Sequence, residues 1–134
     1  MGGKGSHLDT VQIARVAEGA VMLRLLARGF GVFGSPFDGD RADWVVEHPI
    51  SRNIWKIQVK SAVQGRTGLP IVSLAHRPDQ KGVRRYKDNE FDFIVGYNLF
   101  TDTAYVWSQK EVRHLAFAVT IHPDAEERWD KIGA

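Results

Sequence analysis

Cysteine is absent from the 134 residues, which rules out disulfides and thiolate metal sites. Any metal chemistry must use oxygen or nitrogen ligands, and the absence suits an intracellular chain, so a cytoplasmic location is expected. No apolar run approaches the roughly 20 residues that span a bilayer, so no membrane partner is expected. No secretory leader is expected at the N-terminus. Residues 1–8 are Gly-rich and polar and are expected to form a disordered tail, leaving 9–134 as a single domain. Excess charge of one sign is also missing. Eighteen Lys and Arg against sixteen Asp and Glu leave a net charge of +2, which permits a nucleic-acid partner without identifying one. There is no internal repeat, no low-complexity tract and no His/Asp/Ser triad, and His114 and His122 stand isolated. Gly29, Gly31 and Gly34 crowd together, but no Lys-Ser/Thr follows, so they do not form a nucleotide-binding loop.

The rest is an ordinary globular composition, 43% hydrophobic and 25% charged. Residues 9–28 form the clearest helix, with Asp9 as N-cap, Gln12 as its capping-box partner and Gly29 to end it. Its apolar residues wrap most of the circumference, which predicts burial on more than one side. Glu18 interrupts that apolar surface. It is either a rim residue bonded to Arg15 or the backbone, or part of a site. Strands are expected at 29–36, 43–47, 54–61, 69–74, 91–97 and 103–107, with an edge strand at 116–121. Ser108 is placed to cap a short helix ending near Leu115, and 123–132 reads as a polar C-terminal helix. Residues 76–90 are polar and basic without a period, and read as a long loop. The order predicts an α+β fold, a central mixed β-sheet with the N-terminal helix packed on it.

Chemistry concentrates on the run 54–61. Trp55, Ile57 and Val59 point to one face, and Lys56, Gln58 and Lys60 to the other. A hairpin through residues 48–53 would bring Asp43 beside Gln58 and Lys60. Phosphodiester hydrolysis needs a divalent cation held by hard oxygen ligands, and a cationic group near the attacking water. Asp43 offers a carboxylate, Gln58 an amide oxygen, Val59 a backbone carbonyl and Lys60 an ammonium, with Glu18 able to complete the shell. The bland alternatives are a solvated strand face for Lys56, Gln58 and Lys60, and a turn residue for Asp43.

Glu18-Gly19-Ala20 in an early helix, Arg28-Gly29-Phe30, Asp43-Trp44-Val45-Val46, Gln58-Val59-Lys60-Ser61, Tyr86 and Phe91-Asp92-Phe93-Ile94-Val95 resemble the PD-(D/E)XK nuclease superfamily. The resemblance spans about residues 17–112. It is nearest to the group I intron-associated homing endonucleases, in which Gln can replace the usual acid before x-Lys, and it implies a restriction-endonuclease-like core. Asp43 here follows Ala42, whereas the motif places proline there; Pro36 lies further back. The resemblance implies Mg²⁺-dependent (or Mn²⁺-dependent) cleavage of double-stranded DNA to 5′-phosphate ends. It makes Asp43 and Gln58 the metal ligands, Lys60 the residue serving the nucleophile and Glu18 a supporting residue, and the Val59 carbonyl and Glu18 remain further candidate ligands. It also implies a homodimer or homotetramer. DNA contacts are expected from Arg66, Thr67, His76, Arg77, Arg84, Arg85 and Lys87. A restriction or junction-resolving nuclease of the same fold is the nearest alternative, and a DNA-binding or assembly module with an inactive centre is the alternative from another class.

Overall fold

A computed structural model describes residues 8–34, 42–64, 70–79, 82–85, 91–115 and 118–133. The chain begins with helix α1 (Thr10–Ala27). Asp9 caps it, accepting from the Gln12 N–H at 2.9 Å while the Gln12 side chain accepts from the Asp9 N–H at 2.9 Å. Gly29 ends it at φ +87°, a left-handed conformation that costs glycine little. Strands β1 (Gly31–Gly34), β2 (Trp44–Glu47) and β3 (Ile54–Gln64) form an antiparallel meander. Strand β4 (Pro70–Ser73) folds back on the far end of β3. Two short strands follow, β5 (Ala75–Asp79) and β6 (Gly82–Arg85), which pair with each other as a separate two-stranded sheet among the described residues. Strand β7 (Phe93–Asn98) runs parallel to β3, and β8 (Thr103–Ser108) returns antiparallel to β7. The one-turn helix α2 (Gln109–Val112), strand β9 (Ala118–Thr120) against β4, and 3₁₀ turns at Pro123–Ala125 and Trp129–Lys131 complete the chain.

The sheet is therefore mixed, and β3 is its centre. β3 pairs with β2 over its first residues, with β7 along its middle and with β4 at its far end. Its alternation divides two cores. Ile57 and Val59 face one cluster with Val46, Phe93, Val95 and Val106, closed by Ala17, Val21 and Leu25 of α1. On the other face Ile94 and Trp107 meet Val72, Leu74, Val112 and Val119. Each fully buried Leu, Ile or Val in these clusters contributes about 1.5–3 kcal/mol, so both faces matter to stability.

Helix α1 is fixed at its C-terminal half by a polar tie. Arg24 donates to Glu127 (3.2 Å), to the Asp102 carbonyl (2.8 Å) and to the Asp102 carboxylate (3.0 Å), and its guanidinium lies over the Tyr97 ring. Nearer the middle, Trp44 Nε1 donates to the Glu18 carbonyl at 3.1 Å, tying the helix to the start of β2.

Three expectations need correction. Helix α1 is buried on one face only. Ala17, Val21 and Leu25 are inside, while Val11, Val16, Leu23 and Leu26 are exposed, because among the described residues the sheet and the C-terminal segment pack against one side of the helix. Residues 76–90 are not one loop, since β5 and β6 form a hairpin there. Backbone pairing holds it without the apolar alternation that would have marked it in the sequence. The C-terminal segment is not an α-helix. Glu126 is extended and Glu127 has φ +49°, and the Glu127 carboxylate is drawn away to accept from the Ala104 N–H (2.9 Å), Trp129 Nε1 (2.7 Å) and Arg24.

Candidate metal centre

The β2–β3 register carries the site. Trp44 pairs with Ile57, so Asp43, one residue before β2, falls opposite Gln58. The Asp43 N–H donates to the Ile57 carbonyl at 2.9 Å, prolonging the ladder by one bond. β2 reaches no further along β3, and the Val59 N–H would be left without a strand partner on that side. The Asp43 carboxylate supplies one, accepting from Val59 N–H at 2.8 Å through Oδ2. The same oxygen accepts from Gln58 Nε2 at 3.0 Å, and that nitrogen also lies 3.4 Å from the Val59 carbonyl. Two oxygens, Asp43 Oδ2 and Val59 O, thus converge on one amide nitrogen.

Gln58 is 8% exposed, the single buried polar side chain among the described residues. This excludes the solvated-strand reading for it. Its Oε1 is buried without a hydrogen-bond partner. A buried carbonyl oxygen left unsatisfied costs about 1–3 kcal/mol, so such groups call for an explanation.

The charges around it are strained in the same sense. Burial pushes the Asp43 carboxyl above the usual carboxylate range, against the Val59 hydrogen bond and the nearby Lys60 ammonium, which pull it down. Burial and then the Asp43 charge push Glu18 up, partly offset by Arg15. Burial also pulls the Lys60 ammonium below the ordinary lysine value, opposed by Asp43. The structure therefore gathers Glu18, Asp43, Gln58, Val59 and Lys60 into one neighbourhood. Among the described residues no cluster of three or more His, Asp or Glu is positioned to hold a metal. The candidate donors are two carboxylates, one amide oxygen and one backbone carbonyl. That set of hard oxygens fits Mg²⁺ or Mn²⁺, and the orphaned Oε1 and the mutual repulsion of Asp43 and Glu18 are features a bound cation would relieve.

Of the expected DNA contacts, Arg66, Thr67 and Lys87 lie outside the described residues. His76 and Arg77 belong to β5, and Arg84 and Arg85 to β6, with His76 opposite Arg84 and Ala75 opposite Arg85. The backbone thus gathers these four basic residues into one hairpin. Two residues with no clear signal in the sequence help to position the centre. Trp44 holds α1, and hence Glu18, against β2. Asp92 accepts from the Lys56 N–H at 2.7 Å and donates its own N–H to the Lys56 carbonyl at 2.9 Å, setting where β7 joins β3.

A mixed sheet with an N-terminal helix on one face, a carboxylate entering one strand and an amide and an amine alternating on the next defines a restriction-endonuclease-like α+β core. The family model described as PD-(D/E)XK endonuclease matches residues 8–131, and the chain belongs to that family. Among solved structures, the bacterial homing endonuclease I-Ssp6803I is similar over 93% of both chains, with a TM-score of 0.81 and 23% sequence identity. At that identity the likeness speaks for the fold. No curated protein matches the chain. Among the described residues no helix is long and apolar enough to cross a membrane. Family membership supports nuclease activity on DNA, and members generally use divalent metal ions.

Proposed function

We propose that residues 9–134 form a single nuclease domain that cuts double-stranded DNA at specific sites, of the homing type, leaving 5′-phosphate and 3′-hydroxyl ends. The observation that carries this reading is the convergence of the Asp43 carboxylate and the Val59 carbonyl on the amide of a buried Gln58 whose own oxygen has no partner. Asp43, Gln58, Val59 and Glu18 would hold Mg²⁺, or Mn²⁺ in its place. The ion, when bound, neutralises phosphate charge and acidifies water. In the structure the Gln58 amide nitrogen faces the two oxygens and donates to them. Serving as a ligand, Gln58 must present its oxygen instead.

Lys60 stands beside Asp43 with its ammonium depressed by burial. It orients the attacking water and stabilises the negative charge that grows on the phosphoryl oxygens as the 3′-oxygen leaves. The β5–β6 hairpin brings its basic residues to the duplex. A two-stranded ribbon fits the major groove, where Arg77 and Arg85 would reach phosphates or guanine edges, and Arg66, Thr67 and Lys87 would extend the contact. Cutting both strands calls for two centres, which favours a homodimer or homotetramer. The likeness to a bacterial homing endonuclease supports the homing role over a restriction or junction-resolving one.

The test is incubation with a randomised duplex library and Mg²⁺, followed by sequencing of the ends. Wild-type protein should yield recurrent 5′-phosphorylated ends, while Asp43→Ala and Lys60→Ala should yield none and still bind DNA. Wild-type protein that binds DNA and never nicks it, with Mg²⁺ or Mn²⁺, would mark an inactive DNA-binding module.

A further inference from the structure

We propose that Gly96 is a positioning residue for the cleavage reaction: the side chain it lacks leaves the space that Val72 of β4 fills, and the seating of Val72 holds β3 on the course that sets Lys60 beside Asp43. This rests on the reading of Lys60 as the group that serves the attacking water. Gly96 acts through Lys60 and is not itself a catalytic residue.

Lys60 pairs with Gly96 in the parallel β3–β7 ladder, as Gln58 pairs with Ile94. Laterally paired residues share a face of the sheet. Gln58 and Lys60 therefore lie on the face of the second core, where Ile94, Trp107 and Val72 pack. On that face a Cβ at residue 96 would overlap Val72 Cγ2 and lie 3.2 Å from Trp107 Cζ3. Val72 is fully buried and pairs with Ala62, two residues after Lys60. Gly96 admits Val72, Val72 pairs with Ala62, and Ala62 fixes the strand just past Lys60.

Backbone conformation does not demand glycine here. Among the described residues Gly29 is the glycine with positive φ, and Gly96 lies in regular pairing with β3 on one side and β8 on the other. Glycine weakens a strand interior and marks a place where another part of the chain approaches closely. The approach here is that of β4 over β7. A methyl at residue 96 would push Val72 away, and the Val72–Ala62 pairing would pass the push to β3 at Lys60. Close-packed interiors transmit such displacements. A misplacement of roughly 1 Å in a reacting group costs about 100-fold in rate.

Single-turnover cleavage at saturating Mg²⁺ and duplex, duplex affinity and thermal unfolding are measured for wild type, Gly96→Ala, Val72→Ala and the double variant. Val112→Ala, a truncation in the same core that leaves the Gly96–Val72 contact intact, is the control. Acetylation of Lys60 is followed by peptide mass spectrometry without added metal or DNA, with the exposed Lys110 as reference. Gly96→Ala should cut about 10–100-fold slower with duplex affinity little changed, and its Lys60 should acetylate faster. Val112→Ala should melt lower and change neither rate. The double variant should recover both cutting and the slow acetylation, because the methyl added at 96 takes the place of the Cγ2 removed at 72. A Gly96→Ala protein that cuts at the wild-type rate, or whose loss the Val72 truncation does not recover, would overturn the proposal and leave the nuclease reading standing. Should Gly96→Ala fail to fold, the double variant must still cut faster than Val72→Ala, and an equal or slower rate would overturn the proposal. A wild type that binds DNA and never cuts would overturn the nuclease reading. Acetylation then decides alone, and a Lys60 that reacts equally in wild type and every folded variant would overturn the positioning role as well.

Discussion

Replacing Gln58 by glutamate tests the electrostatics of the centre with a magnitude the structure supplies. Gln58 Nε2 is 3.0 Å from Asp43 Oδ2, so Gln58→Glu exchanges a donor for a carboxylate oxygen at the same place. One hydrogen bond to a charged group disappears, worth about 1.5–3 kcal/mol. The repulsion that replaces it is about 4 kcal/mol for unit charges 4 Å apart at an effective dielectric of 20. The pair can escape by taking up a proton, which sets a ceiling. Holding a carboxyl of ordinary pKa ~4.3 protonated costs about 4 kcal/mol at pH 7.5 and about 1 kcal/mol at pH 5. The protonated pair also regains an O–H···O bond.

The sign follows from linkage. A carboxyl whose folded-state pKa is raised keeps its stabilising share below the ordinary pKa and loses it as pH rises. Without metal, Gln58→Glu should therefore be about 4 kcal/mol less stable than wild type at pH 7.5 and nearly equal to it at pH 5. For a chain of this size that is a melting-temperature deficit above about 10 °C at the higher pH. Mg²⁺ should close the gap at pH 7.5, because the added charge becomes a ligand charge. Thermal unfolding at the two pH values, with and without Mg²⁺ at matched ionic strength, measures this directly. A deficit that does not change with pH, or that Mg²⁺ leaves in place, would refute the reasoning.

Asp43→Asn should act in the opposite direction on the metal-free protein. Burial holds the Asp43 carboxyl above its usual range, so neutralising it should raise the melting temperature, by a margin that grows as pH rises from the ordinary carboxylate pKa through the raised one, while abolishing any shift on adding Mg²⁺. Differential scanning fluorimetry reads both effects. Arg24→Ala removes the tie between α1 and the C-terminal segment and strips Glu127 of a charged partner. A loss of about 2–3 kcal/mol in urea unfolding is expected, the partly exposed geometry holding it below the value for a fully buried pair.

Much of the fold was legible because its signals are local. The Asp9/Gln12 capping box, the alternation of Trp55, Ile57 and Val59, and Ser108 with Glu111 each declare an element within a few residues. The meeting of Asp43 with Gln58 was also readable, since a hairpin between two adjacent strands fixes it. The neutralising of the Val59 N–H by Asp43 was not, because it depends on β2 ending one residue short. The C-terminal segment misled for a similar reason. Its polar residues read as a helix, but Glu127 bonds to Ala104 and Arg24, neighbours that only the tertiary fold brings within reach. Helix α1 misled in the other direction. Its apolar outer face predicted burial that the described residues do not provide.

The most direct measurement is anomalous X-ray diffraction from crystals grown with Mn²⁺. The account predicts a peak in contact with the Asp43 carboxylate and the Val59 carbonyl, with the Gln58 amide turned so that Oε1 faces the ion, and no such peak in Asp43→Asn crystals. Manganese bound elsewhere while that position stays empty, with Gln58 Nε2 still donating to Asp43, would contradict it.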